Sequence, residues 1–217
     1  MQGYELNQSA AKKADMGGRI EQTGKYLATI VRAELKTAGT GTEGVEFEVK
    51  TDAGATGSFS LWTRKPDGTT LRGYDLLMSM MTCCGVKSIT AKQGMVKKYD
   101  HNSKEMVDQQ AWIAPEMMGV RIGLLLEREV YQNSNGEDRH RLNLFAAFQH
   151  NTELVASEIL DRVTAPKILP TLVARLNARG EQQPAYHKPA TSAHSPKPAS
   201  KPTGSYPSND LDDDLPF

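Results

Sequence analysis

Apolar and polar residues alternate with a period of two through much of the first third of the chain. Residues 25–35 are rich in β-formers, with Leu27, Val31 and Leu35 on one face and Tyr26, Arg32 and Glu34 on the other, and they predict a first strand. Residues 45–50 alternate strictly, Val45, Phe47 and Val49 against Glu46, Glu48 and Lys50, and predict a second. Between them, Gly39 to Gly44 match G-x-G-x-x-G. That spacing holds a pyrophosphate only between a strand and a helix, whose N-terminus receives the charge. Flanked by two strands, it predicts a hairpin turn instead.

After a turn at Gly54 and Gly57, residues 58–64 alternate again, with Phe59 and Leu61 inward and Ser58, Ser60, Trp62 and Arg64 outward. An indole on a polar face calls for an explanation. Residues 65–68 turn, and residues 71–84 change to helical spacing through Leu71, Tyr74, Leu77, Met78 and Met81, with Gly85 placed as the helix C-terminal glycine. Residues 89–115 have no clear period and predict a long irregular loop carrying Lys92, Lys97, Lys98, Tyr99, His101, Lys104 and Trp112; a loop of that length in a compact domain usually has a function. Residues 119–131 and 139–148 are two further strands around a turn at 133–136. On the last, Leu142, Leu144 and Phe148 share one face and Arg139, Arg141, Asn143 and Phe145 the other.

Three strands, a helix and two strands is the order of a five-stranded OB-fold barrel. The expected class is therefore mainly β: an OB-fold-like barrel with one inserted helix, C-terminal helices and a disordered acidic tail. Residues 152–163 have helical spacing with Asn151 or Thr152 as N-cap, and residues 168–178 repeat it with Pro170 in the first turn. These helices cover an open end of the barrel or pair with a second subunit, and packing on the parent domain is the expectation. The predicted organisation is a flexible segment 1–23, a binding domain 24–150, a helical extension 151–180, a linker 181–209 and a tip 210–217.

Composition changes the picture mainly at the C-terminal end. Six of the 29 residues in 181–209 are proline and the rest are mostly small or polar, so the segment buries too little apolar surface to fold and reads as a tether. The net charge of zero hides a split. Residues 1–180 carry 23 Lys and Arg against 21 Asp and Glu, whereas the tip carries four Asp. A body that binds an anion and a tail that imitates one both fit this division. No segment approaches the roughly 18 apolar residues of a membrane span, and the first residues lack the apolar run of a signal peptide, so a cytoplasmic protein is expected. Cys83 and Cys84 are adjacent in the predicted helix; with His101 they lack zinc spacing, and they read as packing residues. No phosphate-loop, nucleophile-elbow or zinc-protease motif occurs, and neither an enzyme nor a cofactor is expected.

The tip combines Asp210, Asp212, Asp213 and Asp214 with Leu215, Pro216 and Phe217. An acidic run ending in an aromatic suits capture by a partner that offers an apolar pocket beside a cation. Asp-Asp-Asp-Leu-Pro-Phe resembles the acidic tip of bacterial single-stranded DNA-binding proteins, which typically end Asp-Asp-Asp-Ile-Pro-Phe. The resemblance implies that the tip recruits replication, recombination and repair enzymes. The whole layout is similar to that of bacteriophage single-stranded DNA-binding proteins, in which a divergent OB domain carries insertions and an acidic tail. It implies a protein acting in the cytoplasm of a bacterial host, with a homo-oligomer possible.

A single-strand binder needs aromatic faces for bases and cations along the phosphates. The candidates for stacking are Trp62, Tyr99, Trp112 and Tyr131; those for phosphates are Arg64, Lys65, Arg72, Lys97, Lys98, Arg139 and Arg141. For each aromatic the alternative is core filling. Glu46 and Glu48 on the outer face of the second strand argue that a nucleic-acid track avoids its middle. The rival functions are a strand-annealing or recombination-mediator protein and an adaptor that binds no DNA.

Overall fold

The computed structural model describes residue 6 and residues 17–100, 105–133 and 135–182. Seven antiparallel strands form one sheet: β1 (Gly24–Thr37), β2 (Glu43–Thr51), β3 (Thr56–Arg64), β4 (Lys92–Asp100), β5 (Glu105–Ile113), β6 (Arg121–Gln132) and β7 (Asp138–Phe148). Helix α1 (Arg72–Cys84) follows β3, and α2 (Ala156–Leu160) and α3 (Leu169–Gln182) follow β7. The protein is mainly β, as its alternating pattern predicts.

β1 organises the sheet. One of its edges pairs with β2; the other pairs first with β6, from Gly24 to Thr29, and then with β5 at Glu34. Between these stretches the register with β2 shifts between Ile30 and Arg32, and Val31 is turned out to solvent. This bulge corrects the simple alternation expected of the first strand. Ahead of it the even positions Ala28 and Ile30 face the core, and beyond it the odd position Ala33 does, because one extra residue exchanges the faces of a pleated strand. Leu27 and Leu35 consequently pack in different clusters.

The main core lies between the inner faces of the strands and α1, with Phe47 stacked on Phe59 at 5.5 Å and Met80, Leu124 and Leu126 fully buried. α1 ends as predicted: Gly85 is left-handed (φ 70°) and donates to Thr82, and the next amide donates to Met81. Burial pushes both cysteine thiols up to about 12, so neither supplies a thiolate, in keeping with packing residues. β3 and β7 lie against one another, but no ladder of hydrogen bonds joins them. At Gly57 on β3 a Cβ would come within 2.8 Å of the Leu142 side chain on β7.

Two predicted elements differ. Residues 89–115 are not an irregular loop but contain the β4–β5 hairpin, nine residue pairs without a register shift. One face of the hairpin, with Val96 buried and Gly94, Lys98, Val107, Ala111 and Ile113 partly covered, leans on the sheet, whereas the exposed face carries Met95, Met106 and Trp112, so apolar residues fall on both sides and no period shows in the sequence. α2 is a single turn, not a helix over 152–163. Its N-cap is Val155, and Glu158 accepts the backbone N–H groups of Val155 (3.0 Å), Lys167 (2.6 Å) and Ile168 (3.0 Å). That buried carboxylate gathers the chain into a turn where a longer helix would have held it straight. α3 then lays Leu169, Leu172, Val173 and Leu176 against Leu125, Phe145 and Phe148, a second core on the outer side of β6 and β7. The expected packing of the extension on its own domain is observed, although α3 covers a sheet face and not an end.

Phe47 is fully buried beneath Phe59. Phe47→Ala should destabilise the protein by about 3–5 kcal/mol, the usual cost of emptying a buried aromatic site. Urea denaturation followed by circular dichroism would measure it.

Candidate nucleic-acid interface

Trp62 is half-buried on the outer face of β3, as the alternation predicts. Its register partner on β2 is Gly44. A Cβ on Gly44 would come within 2.7 Å of the indole, so the ring rests on bare backbone. At the start of α1, Gly73 approaches the Trp62 backbone so closely that a Cβ there would fall 2.2 Å from its carbonyl oxygen. Gly44 thus gives the indole its seat and Gly73 lets the start of α1 approach the Trp62 backbone, with the side chain partly exposed. Arg64 and Lys65 follow on the exposed end of β3 and the adjoining turn.

A groove of about 900 Å³ opens beside this face, bounded by β3, the start of α1, the β6–β7 hairpin and α3. Ser60, which shares the outer face of β3 with Trp62, lines it together with Arg72, Tyr131, Asn143, Phe145 and Arg179. Glu127, Glu129 and Asp138 line it too, so its charge is mixed. Arg141, beside the groove, lies 3.0 Å from Glu129 and 5.4 Å from the centre of the Tyr131 ring. Arg179 sits 5.6 Å from the centre of Phe145 and 3.5 Å from Glu127. Each guanidinium is therefore held between a ring and a carboxylate, a cation–π arrangement that orients it. The Arg141 hydrogen bond, opposed by partial burial and aided by Asn143, holds the Glu129 carboxyl below its usual range.

Arg179 went unrecognised in the sequence because a basic residue in a last helical turn is ordinary. Only the packing of α3 brings it to the groove. Arg139, farther along the hairpin, forms an exposed pair with Glu137 at 2.7 Å, which costs little to break.

The remaining candidates belong to the β4–β5 hairpin. Lys97 is exposed on β4, Tyr99 lies in the same strand opposite Met106, and Trp112 lies in β5 opposite Gln93. Lys98 departs from its expected role: it projects from the other face and its Nζ is 2.5 Å from Glu34, a buried carboxylate on β1. This contact bends the hairpin. Lys92 is in register with Ile113, and Ile113 with Glu34. Six further residues of straight strand would carry Lys98 about 20 Å away, beyond the reach of its side chain, so the hairpin curls back over the outer face of β1.

Glu34 also meets Arg32, which bonds Glu46 at 2.8 Å and Glu48 at 3.2 Å, while Lys36 bonds Glu46. The carboxylates expected to repel phosphates from β2 are thus neutralised by β1. Burial raises the Glu46 pKa, but hydrogen bonds and charge from Lys36 and Arg32 outweigh it and leave the carboxyl below its usual range.

The structure therefore gathers Trp62, Arg64, Lys65, Arg72, Tyr131 and Arg141 along one face and groove, and places Lys97, Tyr99 and Trp112 on a separate arm. Asp210 to Phe217 lie outside the described residues. Among the described residues no three His, Cys, Asp or Glu side chains come together as a metal site would require.

Depressed carboxyl pKa values at Glu46 and Glu129 stabilise the fold above the unfolded-state value of about 4.3, and that contribution disappears as pH falls through the lower folded-state values. Thermal midpoints recorded from neutral pH to pH ~3 should drop below about pH 4. The drop should be shallower in Glu129→Gln. The chain matches no described protein family and no curated protein.

Proposed function

We propose that this chain binds single-stranded DNA with little sequence preference, protects it during replication, recombination and repair, and recruits partner enzymes through its acidic tip. The observation that carries the reading is Trp62, a partly exposed indole set on bare backbone beside a groove with oriented guanidinium groups. Unpaired bases stack on such a ring, whereas bases within a duplex have no free face to offer. Arg64, Lys65 and Arg72 hold the phosphates on the same face. Arg141 and Arg179 exchange their carboxylate partners for phosphate as the strand enters the groove.

The fold reading that accompanies this function is an OB barrel made of β1, β2, β3, β6 and β7. Three features support it: β1 is shared between β2 and β6, α1 lies in sequence between β3 and β6, and β3 lies against β7. On that reading the β4–β5 hairpin is an insertion, and the binding face is that of β2 and β3, the usual OB site. The resemblance to bacteriophage single-stranded DNA-binding proteins rests on this arrangement together with the Asp-Asp-Asp-Leu-Pro-Phe sequence of residues 212–217.

Fluorescence anisotropy with single-stranded and duplex probes tests the proposal. Single strands should bind more tightly, and the five cations assigned to phosphates, Arg64, Lys65, Arg72, Arg141 and Arg179, imply a log–log salt slope of about −3.5. Equal affinity for duplex would remove the stacking argument. Trp62→Ala should weaken single-strand binding by about 1–3 kcal/mol. In the tail, Phe217→Ala retains all four Asp, so DNA affinity should stay unchanged while pull-down of the host's replication and repair enzymes is lost. Normal recruitment by that variant would return the acidic run to a solubilising role.

A further inference from the structure

Eight large hydrophobic side chains are exposed among the described residues, and three of them, Met95 (65%), Met106 (57%) and Trp112 (53%), belong to the β4–β5 hairpin. Cross-strand partners point to the same side of a hairpin, and so do alternate residues. The register pairs Gln93 with Trp112, Met95 with Gln110, Lys97 with Asp108 and Tyr99 with Met106, so all three exposed hydrophobics share one face with Lys97. Lys98 projects from the opposite face, where it ties the hairpin to Glu34. The face with Trp112 is thereby turned away from the sheet and left uncovered.

We propose that this face is a second contact surface for single-stranded DNA, on which bases leaving Trp62 stack against Trp112 and the two methionines while Lys97 meets a phosphate. The inference rests on the single-strand reading above and extends it to an element outside the five proposed barrel strands.

Size decides between DNA and the other plausible occupant, a second copy of the chain. Two paired nine-residue strands present a ribbon about 30 Å long and 10 Å wide, or about 300 Å², against about 800 Å² per partner in a stable protein interface. A narrow, curved ribbon is too small for a dimer on its own, but it is long enough for several extended nucleotides. The free edge of β4 also carries Lys92 and Lys97, charges that discourage pairing with another strand and suit a phosphate backbone. Asp108, opposite Lys97, leaves the middle of the face electrically neutral, so the contact is one of stacking more than of charge. Position agrees. Glu34, under the arm, is in register with Glu46, and Glu46 with Ser60, neighbour of Trp62. The arm thus leans on the sheet two strands, about 10 Å, from the Trp62 strand and on the same side.

The chain contains two tryptophans, which makes each site separately observable. In the full-length Trp62→Phe variant, titration with oligo(dT) should quench the emission of Trp112 and high salt should restore it. In the full-length Trp112→Phe variant the signal reports Trp62. Met95→Ser combined with Met106→Ser should weaken oligo(dT) binding about tenfold, as expected for losing one stacked base, with circular dichroism unchanged.

Quenching at Trp62 with no change at Trp112, and full affinity in the methionine variant, would overturn the arm and leave the proposed function standing. A Trp112 signal that follows protein concentration instead of DNA, together with a dimer in sedimentation that Met95→Lys abolishes, would assign the face to a second copy and also overturn the inference. Absence of oligo(dT) binding to the unaltered protein by anisotropy would remove both proposals together.

Discussion

The molecule depends on how β1 satisfies its two backbone edges. A fourteen-residue strand bordered by β2 on one side must find donors and acceptors along the other, and no single strand supplies them all. β6 serves Gly24 to Thr29, Val120 and Gly119 serve Ile30, and Ala114 and Ile113 serve Ala33 and Glu34. The change of partner coincides with the bulge at Val31, where twist increases and the faces exchange. From that point the main sheet continues through β6, while the β4–β5 hairpin departs as an arm.

Because the bulge turns Glu34 onto the outer face, it also determines the electrostatics there. A carboxylate so deeply buried persists only with partners, and it has two, Arg32 beside it and Lys98 from the arm. The same Arg32 engages Glu46 and Glu48. Around Glu34 the outer face of β1 and β2 is therefore a set of paired opposite charges, and the Lys98 contact serves as a fastening for the arm. Further exposed cations lie at Lys50 on β2 and at the margins, at Arg64, Lys65 and Arg72 on one side and Lys97 on the other.

In the groove, by contrast, pairing positions charge and leaves it exchangeable. Arg141 and Arg179 each lie between an aromatic ring and a carboxylate, and Arg179 is about half exposed. Glu127 holds the half-exposed Arg179 only at 3.5 Å, whereas the Arg141–Glu129 pair is partly buried and contributes to stability. On the single-strand proposal, a phosphate takes the carboxylate's place while the ring continues to hold the guanidinium plane. On that proposal the site does not need a strongly basic composition, and residues 1–180 are nearly balanced in charge.

The sequence alone determined the elements that have one dry face. β2 and β3 were legible because Val45, Phe47, Val49, Phe59 and Leu61 must be buried while their neighbours stay wet, and α1 because Gly85 accepts a backbone conformation that other residues resist. The outward position of Trp62 followed from the same parity. The acidic tip, too, is a property of sequence. The β4–β5 arm is illegible because apolar side chains sit on both of its faces, Val96 and Val107 on the half-covered one and Met95, Met106 and Trp112 on the exposed one, and α2 is shorter than its spacing predicts because Glu158 closes its turn through donors as far away as Lys167 and Ile168. Tertiary structure alone decided which cations are engaged. Lys97 and Lys98 are adjacent in sequence, yet pleating sends one to solvent and the other to a buried carboxylate 64 residues away. Such a pairing depends on strand register and on the curl of the arm, long-range quantities that no local pattern encodes.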